Sequence, residues 1–322
     1  MSVSTLYTIC FNYIKNHTKD ISSLEGIPFS PVVESLLDFL FKSKIPLNSS
    51  ILSIISQSHA QELRKADLDW TYLNLSQAFT ISAIASLKTV SDCFPKFITC
   101  LNLSNCHIQD THIPLLRAFI NLKILDLTDN VDITDHTMIH IANMATHNII
   151  NKDTFIGLPF LEEIYLTRLP LITDKSLKYI PKVTNLLFID LSYTNVIQEV
   201  ACHYLSIKGF KRISSLRENK VACYQTKIRQ NPKLHEFIKE ITVVDFADGD
   251  SKQWQRQIKP TQQQIAKSEN RHYLLCFARD EVKYNSAPSL SMTNNRKAST
   301  QQRQLEGIMN SRKVIVKNEN WI

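Results

Sequence analysis

Glycine is nearly missing from this chain, with 5 among 322 residues. Loops that cradle phosphate need clustered glycines, because only a residue without Cβ lets the backbone approach the anion closely. Neither G-x-G-x-x-G nor a Walker-type loop occurs, so nucleotide chemistry on such a loop is excluded. Also lacking is an uninterrupted apolar run of roughly 18 residues, the length a membrane-crossing helix requires. No basic stretch leads into an apolar run after Met1, so a secretory signal is not expected. The 7 cysteines are odd in number and none forms C-x-x-C. They read as reduced thiols of an intracellular protein, cytoplasmic or nuclear.

Residues 98–196 contain a repeat. It reads Ile98-x-x-Leu101-x-Leu103-x-x-Cys106-x-Ile108, then Leu122-x-x-Leu125-x-Leu127-x-x-Asn130. It returns as Leu161-x-x-Ile164-x-Leu166-x-x-Leu169 and as Leu186-x-x-Ile189-x-Leu191-x-x-Thr194. The second and third apolar positions of each copy are two apart, so they share one face of a strand. A lone strand of this kind cannot bury that face; stacked copies can. The second apolar positions lie 24, 39 and 25 residues apart, which places an insertion in the middle interval, at about 144–158. A weaker fifth copy, Trp70-x-x-Leu73-x-Leu75, precedes them.

Cys106, Asn130 and Thr194 end their strands with side chains suited to bonding the turning backbone, whereas Leu169 departs from that column. Ile133-Thr134-Asp135 and Ile172-Thr173-Asp174, with the related Ile108-Gln109-Asp110, carry Thr or Asp placed to cap the following helix. Those helices are expected at 111–119, 136–144 and 175–180. The motif is that of leucine-rich repeats. It resembles the cysteine-containing type found in many ubiquitin-ligase substrate receptors. The resemblance implies an α/β fold, a leucine-rich repeat solenoid that binds proteins rather than doing chemistry.

Around the repeats, residues 1–60 read as a helical module. Leu6, Ile9, Cys10, Tyr13 and Ile14 form an amphipathic stripe, a second helix covers about 31–42, and a third covers about 51–56. The repeats take 61–200, and a C-terminal cap with a β-like run at 241–246 takes 201–246. Residues 247–322 are polar, and disorder is expected there apart from a short ordered piece at 272–277. Charge is segregated. From Ser251 onward there are 13 Lys and Arg against 5 Asp and Glu, while the preceding residues hold 24 against 25. The basic character therefore belongs to the tail, and no basic groove for nucleic acid is expected on the repeats. Salt-sensitive nucleic-acid binding by the tail stays as a third alternative for function.

Thr5-Leu6-x-x-x-Cys10-x-x-x-Ile14 matches the pattern of an elongin-C-binding box, with Leu6, Cys10 and Ile14 on one helix face. Leu24-Glu25-Gly26-Ile27-Pro28 resembles the apolar-Pro element of such modules that contacts a cullin, and also a degenerate F-box start. The layout of residues 4–200 is similar to the family of leucine-rich repeat-containing protein 42. These resemblances imply elongin C and a cullin as partners. The alternative is that the same three residues are simply a buried helix face.

Residues between the buried leucines form columns across the strands. The first is Cys100, Ile124, Glu163 and Phe188; the second is Asn102, Asp126, Tyr165 and Asp190; the third is Ser104, Thr128, Thr167 and Ser192. Ile124, Tyr165 and Phe188, exposed among Asp126, Glu163 and Asp190, are expected to make an apolar hot spot with an acidic rim for a protein partner with a basic or aromatic segment. Equally open is that flanking segments or the basic tail cover this face. His136 and His140 have a metal-ligand spacing, but Thr137 stands where H-E-x-x-H needs its base. No nucleophile lies in a recognisable motif, and Glu162-Glu163 reads as a solvated strand entry. No enzyme activity, cofactor, metal or membrane partner is expected.

Overall fold

The computed structural model describes residues 6–65, 69–146, 149–151, 154–155, 157–213, 232–242 and 274–279. All of them belong to one compact unit, Met1–Glu281. The chain opens with helices α1 (Leu6–Asn16), α2 (Glu34–Lys42), α3 (Ser49–Ser58) and α4 (Ala60–Lys65). Asn48 starts α3 by accepting the Ser50 N–H at 2.9 Å, which satisfies one of the amides that a helix start leaves unbonded. The α4 helix had no counterpart in the sequence reading. Its Arg64 donates to Asn121 at 2.6 Å and lies 3.9 Å from the Phe160 ring centroid, tying the helical module to the loops that enter later strands.

The repeat copies supply β1 (Tyr72–Asn74), β2 (Cys100–Asn102) and β3 (Ile124–Asp126), with helix α5 (Thr80–Cys93) between the first two. Helix α6 (Asp135–Thr146) follows. The short hairpin of β4 (Ile149–Asn151) and β5 (Thr154–Phe155) then fills the interval where the insertion was expected. Next come β6 (Glu163–Tyr165) and β7 (Phe188–Asp190). These five repeat strands pair in parallel and in chain order, β1-β2-β3-β6-β7, with Leu73, Leu101, Leu125, Ile164 and Ile189 in one register row. The weak fifth copy is thus a full member of the sheet. Each residue in that row is buried in the main core, at about 1.5–3 kcal/mol of burial free energy apiece.

Scarce glycine does not stop the chain from making left-handed turns. Gln77, Asn105, Asp129, Arg168 and Tyr193 have φ between 53° and 62°, each three residues beyond its strand. A left-handed non-glycine residue costs about 1–2 kcal/mol. The turns offset it with ladder bonds to the next copy: Gln77 N–H to Ser104 O, Asn105 N–H to Thr128 O, Asp129 N–H to Thr167 O and Arg168 N–H to Ser192 O, all 2.9–3.0 Å.

Two expected helices are tighter than foreseen. Asp110–Ala118 is a 3-10 helix, and its buried Ile113 and Leu116, with Phe119 beyond it, recur every three residues, the period of that helix. Pro114 inside it has no N–H to give to an α-helical ladder. Residues 175–180 form no α-helix; Asp174–Ser176 and Ile180–Lys182 are separate 3-10 turns, the second with Pro181 in its first turn.

The C-terminal assignment changes more. Helix α7 (Gln198–Ile207) and strand β8 (Lys211–Ile213) stay beside the last repeat. Helix α8 (Pro232–Ile241) instead packs on α5 and β1 at the opposite end of the sheet. There Phe237 stacks on Phe94 at 6.0 Å, and Lys233 Nζ donates to the carbonyls of Leu40 and Ser43. The stretch 201–246 is therefore not one cap, and Ile241 ends a helix rather than starting a strand. Residues 243–246 lie outside the described residues. So does the tail expected to be disordered, except for 274–279, which carries β9 (Cys276–Ala278). The main sheet is seven-stranded, mixed and mainly parallel, in a mixed α/β fold. Among the described residues no helix is long and apolar enough to cross a membrane.

Candidate functional site

Register turns the expected columns into two rows across the outer face of the sheet. The first runs Tyr72, Cys100, Ile124, Glu163, Phe188, Ala278 and Lys211. The second runs Asn74, Asn102, Asp126, Tyr165, Asp190, Cys276 and Ile213. The six residues singled out from sequence thus meet on one face, but with unequal access. Tyr165 and Phe188 are 0 % exposed, Asp190 3 % and Glu163 7 %; only Ile124 and Asp126 are half-buried. The expectation of an exposed Tyr165–Phe188 hot spot is therefore corrected. The two rings pack 5.3 Å apart in a second apolar cluster with Cys276, flanked by Ile124, Ile213 and Ala278. Sequence reasoning missed Cys276, Ile213 and Ala278. The signal for two of them was the apolar run 274–278 inside a polar tail.

The second row also has a structural task. Asn74, Asn102, Asp126 and Asp190 each accept, through Oδ1, the backbone N–H two residues on, at 2.8–3.0 Å. This is an Asx turn, which ends the strand in the same way in each copy. Tyr165 breaks the series and donates its hydroxyl to Glu163 Oε2 at 2.8 Å. Burial, with the charges of Glu163, Asp126 and Asp190, pushes the Tyr165 phenol far up. Burial also pushes the Asp126 carboxyl up, against hydrogen bonds from Thr128 and aided by the charges of Asp190 and Asp129. At β3 the face therefore offers a carboxylate that a cationic group would relieve, beside the half-buried Ile124.

Thiol chemistry is disfavoured at Cys276 and Cys106, two of the three buried cysteines among the described residues. Burial first of all pushes Cys276 up to about 12 and Cys106 up to about 11, so each is a protonated thiol near neutral pH. Cys106 uses its S–H as a donor to Leu75 O at 2.9 Å. His136 is exposed and His140 half-buried, and among the described residues no group of three or more His, Cys, Asp or Glu could hold a metal.

The N-terminal constellation divides. Cys10 is exposed, Ile14 packs against the core with Phe11, and the side chain of Leu6 lies outside the described residues. Ile9 and Tyr13 are 57 % and 65 % exposed. Leu24 is buried and Ile27 packs on the same core across the turn at Gly26, whose φ is 78°. Matching against protein-family models returns no family for this chain, and no curated protein matches it.

Proposed function

We propose that this chain is a leucine-rich repeat protein that binds other proteins through the outer face of its parallel sheet, and that it is not an enzyme. The copies read as one short solenoid, with α8 and the β8–β9 pair at its two ends. The observation that carries this is the shared construction of five successive copies: one register row of buried leucine or isoleucine, and a left-handed residue three positions beyond every strand. Such an array keeps a rigid row of outward residues at strand spacing, which suits recognition of a surface or an extended segment. Its accessible part centres on Ile124 and Asp126, with half-buried Asn74 two strands away in the same row as Asp126. The elevated Asp126 carboxyl favours a partner that brings a basic side chain.

Proteins crosslinked and purified with the intact chain test this. Ile124→Lys and Asp126→Lys should each lower recovery of the same partner by about tenfold or more. Lys178→Glu, an exposed change between the two 3-10 turns and off the sheet, should leave recovery unchanged. Equal recovery with both face variants, each folded, would sink the reading.

A second reading, a substrate receptor of a cullin–elongin ubiquitin ligase, draws on the exposure of Ile9, Cys10 and Tyr13 along α1. An exposed apolar helix stripe is unusual unless something covers it. Co-purification with elongins B and C is expected for the unaltered chain and should disappear with Leu6→Ser plus Cys10→Phe. A folded wild-type chain that captures neither elongin excludes it.

A further inference from the structure

Strand β9 breaks the rule that builds the rest of the main sheet. The repeat strands are parallel and in chain order; β9 is antiparallel to β7 and lies between β7 and the earlier strand β8. It belongs to no repeat copy, and Leu275 stands 83 residues from the Ser192 hydroxyl that it meets.

The way β9 is held is that of a ligand strand. Leu191 N–H donates to Leu275 O at 2.9 Å, Leu275 N–H donates to Ser192 Oγ at 2.9 Å, and Arg279 N–H donates to Leu187 O at 2.9 Å. On its other side β9 pairs with β8, and Arg212 donates to Leu274 O at 3.2 Å. Side chains alternate: Leu275 and Phe277 enter the main core, while Cys276 joins Tyr165 and Phe188 on the outer face, with Ala278 packed against them. At the end, the Arg279 guanidinium donates to the carbonyls of Val183 and Thr184 and lies 5.0 Å from the Phe210 ring centroid. Paired main chain, alternate side chains in pockets and an anchored terminal charge are the components of strand-addition recognition.

We propose that the edge of β7 opposite β6 is a strand-accepting site, that residues 274–279 fill it as a ligand carried in the same chain, and that the site takes the same segment of a second copy when its own is withdrawn. The pattern recognised is apolar, small, aromatic, small, arginine, as in Leu275-Cys276-Phe277-Ala278-Arg279. The pairing of β8 depends on the occupant, because β9 is its strand partner among the described residues. The edge site is distinct from the face around Ile124 and stands whether or not that face binds a partner.

The test uses the full chain and a fluorescent peptide of residues 272–281 as probe. A tethered strand is present at about millimolar effective concentration, so a probe at about micromolar concentration gains the site only when the tethered copy is disabled. Phe277→Asp in the full chain should raise probe binding about tenfold or more over wild type, whereas a probe itself carrying F277D should not bind. Hydrogen exchange at residues 211–213 should quicken in the variant and slow again with the probe. Should Phe277→Asp not fold, a protease site placed within residues 256–266 and cut after folding gives the second measurement: the severed strand should stay bound and exchange for labelled probe. A folded variant that ignores the probe, or a severed strand that leaves without being replaced, overturns the proposal.

Discussion

Asn130→Ala is expected to be the most damaging single change away from the hydrophobic core, lowering the melting temperature by roughly 10 °C. Asn130 is fully buried at the end of the β3 copy. Its Oδ1 accepts the N–H groups of Cys106 at 3.1 Å and Ile108 at 2.9 Å. Its Nδ2 donates to the carbonyls of Leu103 at 2.9 Å and Leu127 at 2.8 Å, with a longer contact of 3.3 Å to Thr128 O. Alanine takes these bonds away from buried backbone groups in two successive copies. Each buried group left unsatisfied costs about 1–3 kcal/mol, so a loss of roughly 3–5 kcal/mol follows once partial relaxation is allowed. That is a large part of the roughly 5–15 kcal/mol by which domains are stable. Asn130→Asp separates the two halves of the role: it keeps the acceptor for Cys106 and Ile108 but loses the donor and places a charge against carbonyls. Thermal unfolding by circular dichroism should rank wild type first, then both variants well below it. A shift of only a degree or two in Asn130→Ala would show that the turn does not depend on this side chain.

Asp110 supplies the second large effect, and one that varies with pH. Its carboxylate accepts the Thr134 N–H at 3.0 Å, the Thr134 hydroxyl at 2.5 Å and the hydroxyl of buried Thr137 at 2.6 Å, all in the following copy. Asp135 does the same for Thr173, and Asp174 for the Ile197 N–H. Burial alone would raise the Asp110 carboxyl, but the bonds from Thr134 and Thr137, with the nearby His136, outweigh it and hold the group below its ordinary value. A carboxylate whose folded value is depressed contributes stability that is fully present above its unfolded value, near pH 4, and is lost as the pH falls through the folded value. Asp110→Asn should therefore cost roughly 1–3 kcal/mol at pH 7, and the gap to wild type should narrow as the pH falls below about 4. Urea unfolding at pH 7, 5 and 3.5 measures it. A gap that stays constant across the series would mean that the charge of Asp110 is not what the next copy uses.

These two side chains also show how far a sequence can be read. Asn130 was legible because its column is fixed by the repeat: a strand that turns sharply needs a side chain to bond its carbonyls, and here the same side chain also accepts the amides of the preceding copy's turn. Asp110 was legible in position but not in partner. Thr134 and Thr173 do cap their own turns, bonding the N–H groups of His136 and Lys175, as a local capping pattern requires. The carboxylates reach to the neighbouring copy instead, a contact that exists only once copies stack. Phe188 and Tyr165 were placed on the correct face from their alternation with Ile189 and Ile164. Their burial could not be read there, because alternation says which side of a strand a residue takes and not what lies over that side.

By itself, then, the sequence determined the repeat, its buried leucine row, the insertion after α6 and the separation of charge between body and tail. Those features are local: a period of two along a strand and a recurrence of about 24 residues suffice to place them. Only the tertiary structure decided that α8 returns to the first repeat, that residues 274–279 close the last one, and that Tyr165 and Phe188 on the outer face are packed against Cys276. Each of these pairs a short segment with a surface far along the chain. The interactions that choose it, strand-edge hydrogen bonds and a few apolar side chains such as Phe237 and Phe277, leave no periodic trace in the segment itself.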